Sequence, residues 1–405
     1  MAKKVPAYLS LYQQLRSGIV SGRYPYGTRL PSKRTMASDM GVSVITAEHA
    51  VAMLESEGYV ESRERSGIYV IFEEQNLFTP PAETVKEGSA EDSTDAPGTK
   101  TAGKPSRPQK EIPVQPAPAL SSDSPPVNSH AFYPPGSDIA EKIFPFASFS
   151  RTMRRVLSER GEDILKRSPG SGTPELRKAV AGYLLRSRGI RVSPSQIVIG
   201  AGSEYLYMLL VQLIGRDSSG RAKRIALEDP CYEKIKKIYS AAGIPFDSLK
   251  MGRDGIRSGE LSRTKAQILH VTPFNSYPSG ITASASKRHE YISWAHSRNG
   301  LIIEDDFASE FSPLAKAEDT LFALEPTRTV IYMNTFTRTI APSVRTGYMV
   351  LPPPLADLFV KRLGFYSCTV PVFDQYVIAE FIESGEFERH LNRVRRYLRK
   401  NETAH

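Results

Sequence analysis

Apolar residues near the start of the chain recur at the spacing of an amphipathic helix. In the stretch AYLSLYQQLRSGIVSG the recurrent positions are Leu9, Tyr12, Leu15, Ile19 and Val20. Gly22 ends this stretch, so the pattern predicts a first helix that closes there. The next stretch, GTRLPSKRTMASDMG, supplies Ser32 as a helix N-cap and Gly41 as a stop, which predicts a second helix.

A third helix and a hairpin follow in the pattern. The stretch VSVITAEHAVAMLESEGYV has Ser43 as N-cap and Gly58 as C-cap. Its inward-facing positions are Ala47, Ala50, Val51 and Leu54. The stretch YVESRERSGIYVIF contains two short β-rich runs around a glycine-containing turn. Two short helices joined by a tight glycine turn and followed by a hairpin predict a winged helix-turn-helix over residues 1–73.

The hydrophobic pattern changes in the second part of the chain. Five apolar runs, QIVIG, RIALE, QILHVTP, GLIIEDD and VIYMN, each end in a polar or glycine-rich turn. Stretches with helical periodicity, such as ELRKAVAGYLLRSRG, lie between or beside them. Continuous apolar strands separated by helices predict an α/β domain over residues 132–405, with a mostly parallel sheet that is buried on both faces.

Composition separates these two domains and restricts the class of protein. Residues 79–131 contain no Phe, Tyr or Trp and are rich in Pro and Ser, so we predict a disordered linker over residues 74–131. The net charge of +9 favours a polyanionic partner. Two cysteines form no disulfide framework, and we find neither a secretory signal nor an apolar run of membrane-spanning length. We therefore expect a cytoplasmic protein with no membrane partner.

The N-terminal segment resembles the DNA-binding domain of the GntR family. The motif LPSKR, the Gly-Val-Ser turn and the late SGIYV carry the resemblance. It implies that a helix enters the major groove of a double-stranded DNA operator, with the hairpin wing beside it. The residues that we expect at the DNA are Lys33, Arg34, Ser43, Val44, Thr46, His49, Arg65 and Gly67. The alternative is a small helical domain whose polar face is merely solvated.

Candidate ligand-binding residues follow the predicted strands of the second domain. Gly202 and Ser203 open a helix whose backbone amides would form an anion site. Tyr232 follows the second run and could cover a planar ring, and Asp305 follows the fourth and could pair with a protonated ring nitrogen. The fifth run is followed by Thr337, Arg338, Thr339 and Arg345. In a parallel sheet these carboxyl ends gather ligands at one edge.

The second domain resembles the fold type I pyridoxal-phosphate aminotransferases, and the whole chain resembles the MocR (GabR-like) branch of GntR regulators. The motifs GTPELRKAVAGYL, GAGSE, EDPCY, YPSG, IIEDDFASEF and NTFTRTIAPSVRTGYMVLP carry this resemblance. It implies that Gly202, Ser203 and Arg345 hold the cofactor phosphate, that Asp305 pairs with the pyridine nitrogen and that Tyr232 stacks on the ring. It also implies a homodimer, usually with the two halves exchanged between subunits.

Several positions depart from that family pattern. Family members have a lysine, which holds the cofactor covalently, where this chain has Arg338 between Thr337 and Thr339. A guanidinium stays protonated at any relevant pH, so it cannot replace that lysine. Phe307 stands for a tyrosine that bonds the cofactor, and Glu204 for a glutamine at the phosphate turn. The segment KRSPGSG lacks the family's tyrosine, and after YLRKNETAH we expect most of the family's C-terminal subdomain to be absent.

These departures predict a DNA-binding transcriptional regulator that is not an enzyme. Its aminotransferase-like domain would serve in dimerisation and in sensing a small-molecule effector. Pyridoxal phosphate, or a related ligand, would bind noncovalently if it binds, and we predict no metal site. Arg338 would either form a salt bridge with Asp305 or Glu304, or bind the phosphate or carboxylate of another ligand.

Two other functional hypotheses stay open at this point. One is a pyridoxal-phosphate-dependent aminotransferase-type enzyme with a different lysine as anchor, although we expect Lys166 and Lys287 at the surface. The other is a vestigial chain whose second domain folds incompletely. Soluble expression as a dimer would argue against this last hypothesis.

Overall fold

The structure of the protein is a computed structural model that describes residues 6–63, 66–73, 143–307, 309–311 and 319–402. The predicted linker over residues 74–131 and Arg65 of the predicted wing lie outside these residues. Within the described residues, no helix is both long and apolar enough to cross a membrane.

The N-terminal domain is a winged helix-turn-helix, as the pattern predicted. Its elements are α1 (Ala7–Val20), α2 (Lys33–Asp39), α3 (Val44–Ser56), β1 (Val60–Arg63) and β2 (Gly67–Val70). Ser32 caps α2 by accepting a hydrogen bond from the Thr35 amide at 3.1 Å, and Ser43 caps α3 in the same way from Thr46 at 3.1 Å. The two strands pair antiparallel, with Arg63 opposite Gly67 at the turn.

A single hydrophobic core joins these three helices. Most of the positions that the helical spacing predicted are buried, among them Tyr12, Leu15, Ala47, Ala50 and Leu54. Leu9 and Val20 are only partly buried, and the spacing missed the buried Leu11 and Met53. The core extends across the domain boundary, because Ala285 of the second domain is fully buried in the same cluster. The two domains therefore share one compact unit in this structure.

The second domain is built from helices around one sheet. Its helices are α4 (Phe146–Arg160), α5 (Pro174–Arg188), α6 (Ser203–Ile214), α7 (Glu233–Ala241), α8 (Ser258–Arg263), α9 (Ala285–Ser297), α10 (Leu321–Leu324), α11 (Phe336–Thr339), α12 (Pro353–Leu363), α13 (Val372–Glu383) and α14 (Glu386–Glu402). Its strands are β3 (Ile197–Gly200), β4 (Ile225–Asp229), β5 (Phe246–Lys250), β6 (Ile268–Val271), β7 (Leu301–Asp305), β8 (Val330–Thr335) and β9 (Gly347–Val350).

The seven strands of the described residues are ordered β3-β9-β8-β7-β6-β4-β5. Neighbours from β8 to β5 pair parallel, whereas β9 pairs antiparallel with both β3 and β8. The predicted mostly parallel α/β sheet is confirmed, and the five predicted strands are all present. The pattern missed β5, because FDSLK is a partly polar edge strand, and β9, because it follows the polar stretch after β8.

Strand β9 brings the predicted ligand residues together. Gly347, its first residue, pairs with Gly200 at the end of β3 and with Thr335 at the end of β8. The turn after β3 and the short helix α11 after β8 therefore meet at one edge of the sheet. The loop between α11 and β9 carries Arg345 to the same place.

A polar contact joins the two domains beside their shared core. The Tyr12 hydroxyl donates to Glu57 Oε2 at 2.6 Å and to Asp319 Oδ2 at 3.2 Å. Asp319, which belongs to the second domain, also forms an ion pair with Arg16 of α1. The Phe72 and His289 rings meet edge-to-face with centroids 5.1 Å apart, so aromatic packing continues this contact.

Candidate DNA-binding face and ligand site

The N-terminus of α3 presents apolar side chains to solvent. Val44 is 41% exposed, and the next residue, Ile45, is 77% exposed. The Ser43 and Thr46 hydroxyls share a hydrogen bond of 2.8 Å, which orders this first turn of the helix. An exposed aliphatic side chain at the start of a recognition helix can contact a thymine methyl group. Sequence reasoning included Val44 but missed Ile45.

The other predicted contact residues of the helix-turn-helix lie around this turn. Arg34 is exposed at the start of α2, where a guanidinium can reach phosphate. The Lys33 ammonium lies 3.9 Å from a Glu48 carboxylate oxygen, in a pair open to solvent. His49 is exposed, but one face of its ring stacks on Tyr8 with centroids 4.4 Å apart. That stacking limits the directions in which His49 can approach a base.

The wing has a conformation that requires glycine. Gly67 has φ 127°, and a Cβ atom there would lie 2.6 Å from Arg29 Nε. The Arg29 guanidinium thus packs directly on the wing backbone. On the same hairpin the Arg63 guanidinium lies 4.7 Å from the centroid of the Tyr69 ring. Arg29 places positive charge beside the predicted Gly67 contact, whereas the Arg63 guanidinium forms an ion pair with Glu61 Oε2 at 2.9 Å. Sequence reasoning singled out neither arginine.

The predicted phosphate turn opens α6 as expected. Gly202 is the N-cap at φ 85°, and Ser203 is the first helical residue. The Arg345 guanidinium lies so close that a Cβ on residue 202 would be 3.1 Å from its Nη2. The Glu204 carboxylate, however, lies 3.5 Å from Arg345 Nη2 and 2.8 Å from Lys234 Nζ. The Glu204 carboxylate therefore lies next to the Arg345 guanidinium, which was predicted to hold the cofactor phosphate.

Asp305 lies at the carboxyl end of β7, as predicted, inside a buried polar network. The Tyr207 hydroxyl donates to its Oδ2 oxygen. His270 Nε2 lies 3.9 Å from the same oxygen, and His270 Nδ1 shares a 2.7 Å hydrogen bond with the Tyr239 hydroxyl. Burial and the adjacent carboxylate raise the pKa of Tyr207 well above its ordinary value, so Tyr207 remains a donor.

Tyr232 is half-buried at the start of α7, where a ring can cover a ligand. It meets the Tyr277 ring edge-on with centroids 6.4 Å apart. The Lys234 ammonium lies 5.9 Å from the centroid of Tyr232. Sequence reasoning considered Lys166 and Lys287 as alternative anchors and missed Lys234, which is the lysine that the structure places beside predicted site residues.

Arg338 is enclosed by aromatic rings. Its guanidinium lies 5.2 Å from the ring centroid of Phe307 and 5.4 Å from that of Phe311. Within the described residues, its Nε and Nη1 atoms are buried without a hydrogen-bond partner. Burial lowers the pKa of Arg338, although the nearby Glu310 carboxylate opposes this effect.

Of the two alternatives for Arg338, the structure does not show the salt bridge to Asp305 or Glu304. Asp305 accepts from Tyr207 instead, and Glu304 accepts from the backbone amides of Leu321 and Phe322 at 2.8 Å each. Those two amides open α10, so Glu304 is used as a helix cap and is not available to Arg338.

The threonines on either side of Arg338 interact with the backbone. The Thr337 hydroxyl donates to the Val344 carbonyl at 3.2 Å, and that of Thr339 donates to the Thr335 carbonyl at 3.5 Å. These hydrogen bonds shape the turn between β8 and β9.

Of the two lysines that were expected at the surface, Lys166 is exposed and Lys287 is buried. Lys166 is exposed and pairs with Asp163. Lys287 is instead buried in α9, where its ammonium donates to Glu290 Oε2 at 2.6 Å and to Ser258 Oγ at 3.0 Å. The helical spacing of Glu290 three residues later satisfies the buried charge, which is why lysine is tolerated there.

Comparison with known proteins follows the same division of the chain. Residues 7–70 match the family described as bacterial regulatory proteins, gntR family. Residues 142–404 match aminotransferase class I and II. The probable rhizopine catabolism regulatory protein MocR of Rhizobium meliloti is 30% identical over 395 residues, which are 97% of this chain and 75% of that protein. The chain belongs to the MocR-type GntR regulators.

A second MocR-type relative supports the same grouping. The HTH-type pyridoxine biosynthesis transcriptional regulator PdxR of Corynebacterium glutamicum is 28% identical over 389 residues, covering 96% of this chain and 76% of that protein. The predicted family and the predicted fold are both confirmed.

Solved aminotransferases have the fold of the second domain. The α-aminoadipate aminotransferase LysN of Thermus thermophilus superposes with a TM-score of 0.55 and 26% identity, over 63% of this chain and 64% of that one. The kynurenine aminotransferase of Pyrococcus horikoshii superposes with a TM-score of 0.58 and 21% identity, over 65% and 66%. This MocR-type chain thus spans less than two thirds of each enzyme.

The aminotransferase class implies pyridoxal phosphate for the site at the sheet edge. Part of the predicted noncovalent binding site for this cofactor is present, since Gly202, Arg345, Asp305 and Tyr232 lie at the expected strand ends. At the position where the family resemblance predicts the covalent anchor, the chain has Arg338, whose guanidinium lies against two phenylalanine rings. A guanidinium at residue 338 therefore does not fit the covalent attachment of pyridoxal phosphate at this position.

Proposed function

We propose that the chain is a sequence-specific DNA-binding transcriptional regulator that does not catalyse transamination. Its aminotransferase-like domain forms a homodimer and binds a small effector noncovalently. The observation that carries the proposal is Arg338 in place of the anchoring lysine, in a chain whose N-terminal domain keeps the DNA-binding fold.

The recognition face supports the DNA-binding half of the proposal. The first turn of α3 is held by two internal hydrogen bonds of Ser43 and is otherwise open to solvent. Arg34 lies nearby at the start of α2, so base-edge contacts and phosphate contacts would come from adjacent turns. A homodimer would present two such faces to two half-sites of one operator.

The site around Arg338 at the edge of the sheet supports the proposed noncovalent binding of a small effector. Among the residues that the structure describes, the buried Nε and Nη1 atoms of Arg338 have no hydrogen-bond acceptor. The aromatic neighbours of Arg338 would flank a planar or apolar ligand. This favours the second alternative for Arg338, the binding of a phosphate or carboxylate on a ligand other than a covalent cofactor.

A second candidate function comes from Lys234, which lies near Tyr232. In this candidate the chain is a pyridoxal-phosphate-dependent aminotransferase-type enzyme that uses Lys234 as its anchor. The hydrogen bond from Lys234 to Glu204 raises the pKa of this lysine, which keeps it protonated and makes it a poor nucleophile. That protonation disfavours the candidate.

Absorbance titration with pyridoxal phosphate, followed by borohydride, distinguishes the two functions. We expect no trapped adduct in the wild-type protein, because residue 338 is an arginine and the hydrogen bond to Glu204 keeps Lys234 protonated. The matched variant Arg338→Lys restores an amine at the anchor position and reports whether the pocket admits the cofactor. A wild-type adduct that Lys234→Ala abolishes would establish the enzyme instead. Failure of the wild-type protein to retain any sequence from a random DNA library would contradict the regulatory proposal.

A further inference from the structure

The contact between the two domains is centred on the first turns of α9. Ala285, the first residue of α9, is fully buried in the core of the N-terminal domain. One turn further along, the His289 ring meets the Phe72 ring edge-to-face with centroids 5.1 Å apart. Between these two positions, the Glu73 amide donates to the Ser286 hydroxyl at 3.1 Å. One face of α9 therefore contacts the N-terminal domain directly.

Beside this contact the two domains are separated. A cavity of about 820 Å³ lies between α1 and the ends of α5 and α14. Among the described elements, no helix or strand of the N-terminal domain packs closely along one of the second domain. The docked arrangement therefore depends on the α9 face and on the polar cluster of Tyr12, Arg16 and Asp319. A small interface of this kind allows the two domains to move relative to each other.

His289 lies in positively charged surroundings at this small interface. The guanidinium groups of Arg16 on α1 and of Arg288 on α9 act on its ring, and the Asp319 carboxylate opposes them. The ring is half-buried, and its Nε2 atom is buried without a hydrogen-bond partner among the residues that the structure describes. Within those residues, the charged groups that act on His289 thus sum to a net positive charge.

These surroundings keep His289 neutral while the domains are docked. Burial and the two guanidinium groups lower the pKa of His289 to about 4, against the opposing effect of Asp319. When the domains separate, Arg16 leaves with α1 and water reaches the ring, so the pKa returns towards its ordinary value of about 6.5. By linkage, the docked arrangement has its full stability above about pH 6.5 and loses stability as the pH falls towards about 4.

We propose that His289 is an acid-sensitive latch between the two domains. A second proton on the imidazole places a third positive charge beside Arg16 and Arg288, so protonation releases the N-terminal domain from the α9 face. At neutral pH the uncharged ring packs on Phe72, and the domains remain docked. The latch itself requires no DNA, whereas its consequence for operator binding rests on the proposed DNA-binding function.

Labelling of a buried thiol in the full chain tests the latch. Ala285→Cys places a thiol where the side chain is fully buried while the domains are docked, so its labelling rate reports the separated fraction. Mass spectrometry distinguishes this thiol from the native Cys231 and Cys368. The rate is divided by that of the unfolded chain at the same pH. We expect this ratio to rise about twentyfold from pH 7 to pH 5, given the two pKa values of His289.

Two histidine variants of that reporter chain assign the effect to one residue. His289→Gln removes the titrating ring and should abolish most of the rise. His296→Gln, at an exposed position of the same helix, is the matched control and should keep the full rise. An equal rise in the two variants, or no rise in the reporter chain itself, overturns the proposal.

NMR titration of carbon-13-labelled histidines in the wild-type chain provides a measurement that does not depend on the docking of a variant. The His289 ring should remain neutral at about pH 5.5, which is one unit below the ordinary pKa of histidine. A docked chain in which His289 is charged at that pH overturns the proposal.

DNA binding at pH 7, measured by fluorescence anisotropy with sequences selected from a random library, keeps the two proposals distinguishable. Absence of DNA binding counts against the proposed regulatory function alone. A labelling ratio that does not change with pH counts against the latch alone.

Discussion

Individual buried acids in the second domain have unusual proton affinities. Glu228 at the end of β4 is 2% exposed, and its Oε2 atom accepts from the Ser276 hydroxyl at 2.6 Å. Burial raises the pKa of Glu228 to about 8, against the opposing effect of that hydrogen bond. Burial likewise raises the pKa of Glu304 to about 8 and that of Glu310 to about 7. Near neutral pH these carboxyl groups therefore hold protons in the folded chain that they release in the unfolded chain.

Glu228→Gln should change the pH dependence of stability. A raised folded-state pKa means that the contribution of Glu228 is present at low pH and is lost as the pH rises towards about 8. Between about pH 5 and about pH 8, the wild-type free energy of unfolding should fall by on the order of 3 kcal/mol more than that of the variant. Chemical denaturation at several pH values measures this difference.

The control for this comparison is the exposed Glu383, also replaced by glutamine. Glu383→Gln should keep the wild-type pH slope. An unchanged slope in Glu228→Gln would show that Glu228 is ionised in the folded protein.

At the scale of elements, the proposed docking on DNA assigns different contacts to α2 and to α3. The exposed charge of Arg34 lies on α2, and the exposed aliphatic side chains Val44 and Ile45 lie on the first turn of α3. Contacts to phosphate contribute affinity without sequence choice, whereas contacts to base edges contribute sequence choice.

Substitutions on the two helices should therefore have different signatures. Arg34→Ala should weaken binding to operator and random DNA alike and reduce the slope of affinity against salt by about one. Ile45→Ala, Val44→Ala and Thr46→Ala should mainly reduce the preference for operator and leave the salt slope unchanged. Anisotropy titrations over a range of salt concentrations measure both quantities. An Arg34→Ala protein with the wild-type salt slope would refute this docking of α2 on phosphate.

At the scale of the whole molecule, a small polar cluster joins the domains. Asp319 accepts a hydrogen bond from Tyr12 and forms an ion pair with Arg16. The side chain of Asp319 is only 12% exposed, and that of Arg16 is 26% exposed. Burial of the Tyr12 ring and the nearby carboxylates raise the pKa of Tyr12 well above its ordinary value, so it stays a hydrogen-bond donor.

Asp319→Asn should loosen the DNA-binding domain from the second domain. The amide keeps the shape of the side chain but removes the charge that pairs with Arg16. Amide hydrogen exchange in α1 should accelerate about tenfold, while exchange in the central strands stays unchanged. Asp217→Asn, in the surface turn before β4, is the control and should leave exchange in α1 at the wild-type rate. Equal exchange in α1 for Asp319→Asn and wild type would show that this cluster does not hold the domains together.

Local and periodic features were predictable from the chain alone. The caps Ser32 and Ser43, the inward face of α3 and five strands of the sheet all follow from spacing and capping chemistry. Such features depend on residues close together in the sequence, where helix and strand periods and capping chemistry act directly.

The contacts that define the sites depended on tertiary structure. Glu204 lies between Lys234 and Arg345, and Arg338 lies between two phenylalanine rings. No local pattern predicts which side chains become neighbours, because Arg345 reaches Glu204 only where β9 pairs with β3, and Arg338 reaches Phe307 only where β7 and β8 lie side by side. The interdomain cavity likewise exists only because α1 packs against a domain far along the chain. The sequence alone therefore specified the helices of the N-terminal domain and five of the seven described strands, whereas long-range packing determined which side chains share a site.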